Sequence, residues 1–305
     1  MNKTLAMGAM GTDDKRYTVR HPRNEVISKP LRCRILICIL CLFNFRVVAI
    51  IMSPSGRLTT RGIWSHTPVV GLSASTGLGR GNSLPPLSSP LIELITPDSC
   101  SSSADVSKLI HSVKKALDGG VKLVQLRDRK SDSQSIAKLA CILRDSTREK
   151  AWFVINGDPQ AARAWGADGV HLPEHMMDRL TSLRGSGKWP RLVGCSVHSA
   201  EAAVNAARLG VDYVQVGTMF ATPSHPGKEP EGVDLLSDVR RRLDAHGLGG
   251  VLVIGVGGID RSNCGMVAAA GGDGVAAIRC LCDGEDPEGQ ARGMLDAFLA
   301  GSGDG

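Results

Sequence analysis

From residue 90 onward, short apolar runs alternate with longer stretches in which apolar residues recur every three or four positions. The short runs are typical of buried parallel strands, and the longer stretches are typical of amphipathic helices. Strands are predicted over residues 91–96, 121–126, 152–155, 169–172, 191–195, 213–216, 251–255 and 274–278. Helices are predicted over residues 104–117, 133–149, 158–165, 174–183, 200–209, 233–245, 262–270 and 287–299. Eight strands that are each followed by a helix predict an α/β fold, a (β/α)8 TIM barrel over residues 91–301.

A short step of glycine and aspartate recurs before three of these strands, as Gly166-Ala167-Asp168, Gly210-Val211-Asp212 and Gly271-Gly272-Asp273. Gly166 and Gly210 stand just past predicted helix ends, where the chain commonly needs a left-handed residue. The repeated step therefore supports evenly spaced units of one kind.

The first 90 residues differ in character from the rest of the chain. Residues 35–52 are largely apolar, which suggests a signal or membrane anchor, and residues 52–89 are rich in Ser, Thr and Arg without acidic residues, as in a transit peptide. We expect a disordered targeting extension over 1–90, including a disordered linker over 71–90, and delivery to a plastid or another organelle. Cytoplasmic location, with a true start near Met52, is the alternative.

The positive charge of the chain belongs to that extension. It has twelve Lys and Arg against three acidic residues, whereas the remainder has 24 basic and 27 acidic residues. The barrel therefore gives no reason to expect nucleic-acid binding, and membrane contact is expected of the extension only.

The strongest functional signal lies in residues 191–232, where two predicted strands end in small polar residues and a histidine. Ser196 and His198 follow one strand, and Thr222, Ser224 and His225 follow the next. The carboxyl ends of barrel strands carry the chemistry of such folds. His198 can move protons near neutral pH, whereas His225 equally suits a loop-shaping role.

Three further strand ends carry candidate binding residues. Gln125, Arg127 and Arg129 suit a phosphate or carboxylate, and Asn156 could orient a polar group of a substrate. The loops after the last two strands, with Gly257 and Gly258 and with Ile278 and Arg279, occupy the usual phosphate position of these barrels.

Assembled in this order, the motifs resemble the thiamine phosphate synthase/TenI superfamily over roughly residues 91–300. The segments that carry the resemblance are Leu94-Ile95-Thr96, Gln125-x-Arg127, Asn156, 167–172, Ser196-Val197-His198, Gly257-Gly258-Ile259 and 269–275. The resemblance implies binding of a thiazole phosphate, with the phosphate at the last two strand ends, and a homo-oligomer.

The residues depart from the synthase branch at its metal site. That branch typically has Asn-Asp and Gly-Gln-Glu-Asp, whose aspartates hold magnesium, where this chain has Asn156-Gly157 and 173–176 (Pro-Glu-His-Met). Asp158 and Glu174 are weak substitutes, Arg129 replaces a usual lysine, and 222–225 lacks the lysine of a Thr-x-Thr-Lys motif. Ser-Val-His-Ser instead is similar to the thiazole tautomerases, although Arg279 replaces their usual serine.

Three hypotheses follow, and the first is preferred. A metal-independent thiazole tautomerase would use His198 as the acid and base, the role that the resemblance implies, with no cofactor. A thiamine phosphate synthase would join the thiazole phosphate to a pyrimidine pyrophosphate and would need Mg²⁺. A non-catalytic binder of thiamine intermediates would keep the pocket alone.

Overall fold

A computed structural model describes residues 50–52, 58–60, 84–98, 102–184, 189–223, 227 and 229–303 of the 305-residue chain, with backbone only at 50–52, 58–60 and 184. The chain divides into two compact units, residues 1–76 and 77–305. In the first unit, β1 (Ile50–Met52) pairs antiparallel with β2 (Leu58–Thr60). The predicted anchor and transit segments otherwise lie outside the described residues. Within the described ranges, no helix has the length and apolar character needed to cross a bilayer.

The second unit is a closed barrel of eight parallel strands. In chain order they are β3 (Leu91–Ile95), β4 (Leu123–Leu126), β5 (Trp152–Asn156), β6 (Gly169–Leu172), β7 (Leu192–Val197), β8 (Tyr213–Val216), β9 (Leu252–Val256) and β10 (Gly274–Ala277). Each strand pairs with the next one along the chain, and β10 closes the ring against β3. The predicted (β/α)8 barrel is confirmed.

The helices surround this ring. They are α1 (Ser103–Asp118), α2 (Ser133–Thr147), α3 (Pro159–Ala164), α4 (Leu180–Arg184), α5 (Ala200–Arg208), α6 (Gly232–Ala245), α7 (Cys264–Ala269), α8 (Arg279–Cys282) and α9 (Pro287–Gly301). The helix predicted over 174–183 is instead a 3₁₀ helix, Glu174–Arg179, that leads into α4. No residue of this 3₁₀ helix is fully buried, and Met176 and Met177 pack only partly against the core, so little burial favours the α-helical period there.

Alternation along the strands separates two apolar clusters. Residues such as Ile92 and Leu94 of β3 pack outward against the helices. Leu91 and Ile95 of the same strand belong to a second cluster with residues of the other strands, Leu123, Trp152, Val154, Leu192, Tyr213, Ile254 and Ala276. Since successive side chains of a strand face opposite sides, this second cluster fills the barrel interior.

The segment just before β3 belongs to the barrel. Leu84 and Leu87 pack against the interior cluster, and the indole Nε1 of Trp152 donates to the carbonyl of Pro85 at 3.0 Å. Residues 84–90 were included in the predicted disordered linker, and for them that prediction is wrong. Two leucines in a Ser- and Pro-rich stretch are a weak sequence signal, but the open end of the barrel gives them apolar surface to cover.

Replacing both Leu84 and Leu87 by serine is expected to destabilise the full chain by about 2 kcal/mol, because each side chain loses part of its apolar burial. Urea unfolding followed by circular dichroism measures the difference. Leu299→Ser is the matched control, since Leu299 is 43% exposed, and it should change the free energy of unfolding very little. Equal effects of the two proteins would show that residues 84–90 do not contribute to barrel stability.

The repeated step of glycine and aspartate has a structural role. The carboxylates of Asp168, Asp212 and Asp273 accept from the backbone N–H groups of Phe153, Val193 and Val253, at 3.0, 2.6 and 2.8 Å. Each bond joins the start of one strand to the start of its neighbour, at the end of the barrel opposite the carboxyl ends of the strands. The preceding glycines, Gly166, Gly210 and Gly271, have φ of 73°, 88° and 87°, which favour glycine.

Candidate active site

The described candidate residues gather where β4, β5, β7, β9 and β10 end. Gln125 lies within β4, Asn156 ends β5 and Ser196 lies near the end of β7. His198, Gly257 and Gly258, and then Ile278 and Arg279, follow directly after β7, β9 and β10. Because the carboxyl ends of parallel strands meet at one rim, a single mouth of the barrel collects them.

The imidazole of His198 is held in one tautomer. Its Nδ1 lies 2.7 Å from the carbonyl oxygen of Gly217, which can only accept, so Nδ1 carries the hydrogen. In the neutral ring, Nε2 then has a lone pair, which suits a general base. The backbone N–H of His198 donates to Oε2 of Glu174 at 2.8 Å, which fixes the loop that carries the ring.

The hydroxyl of Ser196 is hydrogen-bonded to His171. This hydroxyl lies 2.8 Å from Nε2 of His171, and Nδ1 of His171 lies 3.1 Å from the hydroxyl of Tyr213. Burial, and then the charge of Arg127, lower the pKa of His171 to about 3, so this ring is neutral. His171, Ser196 and Tyr213 form a buried polar chain of their own.

A second polar chain runs through the barrel interior to Gln125. The amide nitrogen of Gln215 donates to Oε1 of Glu93 and to Oε1 of Gln125, at 2.8 Å each. The amide nitrogen of Gln125 in turn approaches Oδ1 of Asn156 at 3.4 Å. Gln125 and Asn156 are thus brought together at the mouth, as the sequence predicted.

The two arginines after β4 share one carboxylate. Arg129 donates to Asp98 through Nε at 3.1 Å and through Nη2 at 2.6 Å, and Nη1 of Arg127 lies 3.4 Å from the same side chain. Burial raises the pKa of Asp98, but the hydrogen bonds and charges of Arg129 and Arg127 lower it overall. Arg129 is 56% exposed in its side chain and Arg127 only 18% exposed, so Arg127 is the better-placed cation for a bound anion.

The glycine loop after β9 packs directly on the loop after β8. A Cβ on Gly258 would lie 2.6 Å from the carbonyl oxygen of Ala221, and one on Gly257 would lie 2.6 Å from Cγ2 of Thr218. Both glycines have positive φ, 104° at Gly257 and 64° at Gly258. Only glycine therefore fits this turn, which leaves its backbone close to the mouth.

The start of α8 faces the same region of the fold. Its N-cap is Ile278 and its first residue is Arg279, and within the described part of the chain no side chain caps it. Uncapped N–H groups beside an arginine suit an anion. The phosphate position predicted at the last two strand ends stays a prediction.

Replacing Gly258 by alanine is expected to weaken the binding of a thiazole phosphate by about 10-fold or more, because the new methyl group forces the loop away from Ala221. Isothermal titration calorimetry measures the affinity. Gly247→Ala is the matched control, since Gly247 has φ of 69° and open space around its Cβ position. An unchanged affinity in Gly258→Ala would place the anion elsewhere.

The weak metal candidates serve other purposes. Oδ1 of Asp158 accepts from the backbone N–H of Gln160 at 2.8 Å and caps α3, and Glu174 binds the backbone of His198. Among the residues with described side chains, no group of three or more His, Cys, Asp and Glu could hold a metal ion.

The loop after β8 is described only in part. Ser224 and His225 lie outside the described residues, so their predicted binding roles stay predictions. Thr222 is partly exposed and follows the segment that packs on the glycine loop. The backbone N–H of Glu231 donates to the carbonyl of Thr218 at 2.8 Å, and its carboxylate accepts from the Thr218 N–H, which fixes the base of this loop.

Sequence analysis missed Asp98, Glu93 and Gln215. Asp98 follows β3 closely, as a strand-end residue of a barrel should, and that position was the available signal. Glu93 and Gln215 are polar residues in the middle of apolar strands, and such a residue needs a partner inside the core.

Comparison with known proteins agrees with this geometry. The family model described as thiamine monophosphate synthase, TMP-TENI, matches residues 93–281. A thiamine-phosphate synthase of Gloeobacter violaceus is 38% identical over 184 residues, 59% of this chain and 51% of that protein. Another, of Syntrophomonas wolfei, is 32% identical over 186 residues, 60% of this chain and 86% of that protein. The chain thus spans about half the length of the first relative and most of the second.

A solved structure extends the agreement to the fold. The thiamine phosphate pyrophosphorylase of Pyrococcus furiosus superposes with a TM-score of 0.58 at 25% identity, covering 70% of this chain and 97% of that one. These proteins carry the synthase name, so the comparisons do not specifically support the tautomerase branch preferred from the sequence. With a family model that matches more than half of its residues, this chain belongs to the thiamine monophosphate synthase (TMP-TENI) family.

Proposed function

We propose that this chain acts on a thiazole phosphate in thiamine biosynthesis, at the mouth of the barrel. Family membership is the observation that carries the proposal. The glycine turn at Gly257 and Gly258, the uncapped start of α8 and the cation of Arg127 support an anion site there.

The first candidate reaction is the one that the relatives are named for, joining a thiazole phosphate to a pyrimidine pyrophosphate. The ring nitrogen of the thiazole forms a bond to the pyrimidine methylene carbon, and pyrophosphate leaves. The comparisons favour this condensation over the tautomerisation preferred from the sequence.

The magnesium that the resemblance implies for a synthase does not fit the candidate carboxylates among the described residues. Asp158 is occupied by the helix cap and Glu174 by the His198 backbone, and Asp98 is paired with two arginines. Charge on the leaving pyrophosphate would therefore have to be met in this chain by cationic side chains at the mouth, among them Arg127.

The second candidate is the tautomerisation of a thiazole carboxylate phosphate. The position of the hydrogen on the His198 ring, at Nδ1, specifically favours this reaction. The reaction removes one proton from the ring and returns another, so one imidazole with a free lone pair suffices. The fixed Nδ1–H of His198 leaves Nε2 for that purpose.

One assay of the purified chain separates these candidates. Thiazole carboxylate phosphate is supplied alone, and thiazole phosphate is supplied with pyrimidine pyrophosphate, with Mg²⁺ or with a chelator. Thiamine phosphate as product establishes the condensation, and the aromatic tautomer alone establishes the isomerase. If the chain binds these compounds and converts none of them, it is a non-catalytic binder of thiamine intermediates. A chain that neither binds nor converts any of these compounds would contradict the proposed function.

A further inference from the structure

Glu93 is an acidic residue at the centre of an apolar strand. It is fully buried in β3, where its inward neighbours Leu91 and Ile95 belong to the apolar interior cluster. Burial raises the pKa of Glu93 to about 8, against a smaller lowering by its hydrogen bond from Gln215. A carboxyl group in such a place costs folding free energy, so its presence calls for a role.

The hydrogen bonds of Glu93 point to Gln125. The amide nitrogen of Gln215 donates one hydrogen to Glu93 and the other to the side-chain oxygen of Gln125. The oxygen of Gln125 therefore faces the interior, and its amide nitrogen faces Asn156 and the mouth. Since Gln125 and Gln215 are 1% and 3% exposed, water does not compete for these bonds.

We propose that Glu93 is a positioning residue: through Gln215 it holds the amide nitrogen of Gln125 toward the mouth, where that nitrogen donates to an oxygen of the bound substrate. The proposal rests on the proposed function in so far as Gln125 contacts the thiazole phosphate. The proposal concerns two residues outside the motifs that carry the resemblance, Glu93 and Gln215, which act through Gln125 and do not reach the substrate themselves.

Among the residues that the structure describes, no cation compensates Glu93. Its partners on the neighbouring strands, Ala276 and Leu123, are apolar. Tyr213 of β8 faces it, and burial, then the charge of Glu93, raise the pKa of that phenol well above its usual range. His171, which contacts Tyr213, is neutral. Within the described ranges Glu93 forms no ion pair, and its Oε2 is buried without a hydrogen-bond partner. Ionisation would therefore disturb the chain of amides.

The first test needs no substrate. Side-chain amide signals of glutamine in the full chain, labelled with ¹⁵N, are followed by NMR from roughly pH 6 to pH 10. We expect two buried glutamine amides to shift with an inflection near pH 8 and to lose that inflection in Glu93→Gln. Glu201→Gln, at an exposed glutamate of α5, should keep it. Glutamine amide signals that are identical in the original chain and in Glu93→Gln at every pH, or an inflection that persists in Glu93→Gln, would overturn the proposal.

The second test measures binding of thiazole phosphate. Glu93→Leu removes the acceptor of Gln215 and should weaken binding by about 10-fold, whereas Glu93→Gln keeps an acceptor and should stay within about 3-fold. In turnover assays the loss should fall on KM rather than kcat. If Glu93→Leu does not fold, Gln215→Met takes its place in the comparison, because it removes the same hydrogen bond between Gln215 and Glu93.

The outcomes of the two tests are separable. Equal affinities in the original chain, Glu93→Leu and Gln215→Met would overturn the positioning role. If the original chain binds no thiazole phosphate, the proposed function fails, while the amide spectra still decide whether Glu93 governs the two glutamines.

Discussion

Replacing His198 by alanine is expected to lower the rate of thiazole tautomerisation by about 10²–10⁴-fold, the usual contribution of a positioned acid–base group. The expectation follows from the bond between Nδ1 and the Gly217 carbonyl, which leaves Nε2 as the proton acceptor. Affinity for the thiazole should change little, because the loops after β9 and β10, which we propose to bind the anion, are untouched. Steady-state kinetics with thiazole carboxylate phosphate measure both quantities.

The same variant helps to separate the two candidate reactions. No carbon–hydrogen bond breaks in the condensation, so that reaction should depend on His198 much less than the tautomerisation does. His111→Ala, at an exposed position of α1, is the control and should leave either rate unchanged. Undiminished tautomerisation in His198→Ala would show that another group moves the proton.

Replacing Asp168 by alanine is expected to destabilise the barrel by about 3–5 kcal/mol, the usual result of removing one partner from a buried ion pair. The carboxylate lies 2.6 Å from Nη1 of Arg144 and accepts from the backbone N–H of Phe153. Asp168 and Arg144 are 7% and 13% exposed, so the change leaves a largely buried guanidinium without this carboxylate and removes the oxygen that the Phe153 N–H donates to. Urea unfolding measures the loss.

Asp158→Ala is the matched control for this prediction. Asp158 is exposed and caps α3, so its replacement should cost about 1 kcal/mol. Similar costs for the two variants would mean that the glycine–aspartate step before the strands does not hold neighbouring strands together.

The local pattern of apolar and polar residues was sufficient to predict the barrel, because each strand is largely apolar on both faces and the helices have apolar stripes of their own. All eight strands could be predicted in this way. The 3₁₀ form of Glu174–Arg179 could not, because Met176 and Met177 show a helical spacing in the sequence but are only partly buried in the fold. Residues 84–90 were missed because their role depends on the open end of a barrel that local pattern does not describe.

The sequence could predict at which strand ends the site residues lie, but not which side chains form hydrogen bonds or ion pairs with each other. Strand order alone brings Gln125 and Asn156 together. By contrast, the partner of Ser196 is His171, because the two residues lie on adjacent inward-facing positions of β6 and β7. Asp98 pairs with Arg127 and Arg129 across β3 and β4, a contact that requires the register of the sheet.

The choice between the two candidate reactions turns on a few side chains, whereas the proposed anion site is built mainly from the backbone of the rim. The most direct test of the central claim is therefore an NMR titration of the ¹⁵N-labelled chain with thiazole phosphate. The account predicts a single saturable site, with amide shifts confined to Gly257, Gly258, Ile278, Arg279 and the ends of β4 and β5. Shifts confined to the opposite end of the barrel, or no saturable shifts at all, would contradict it.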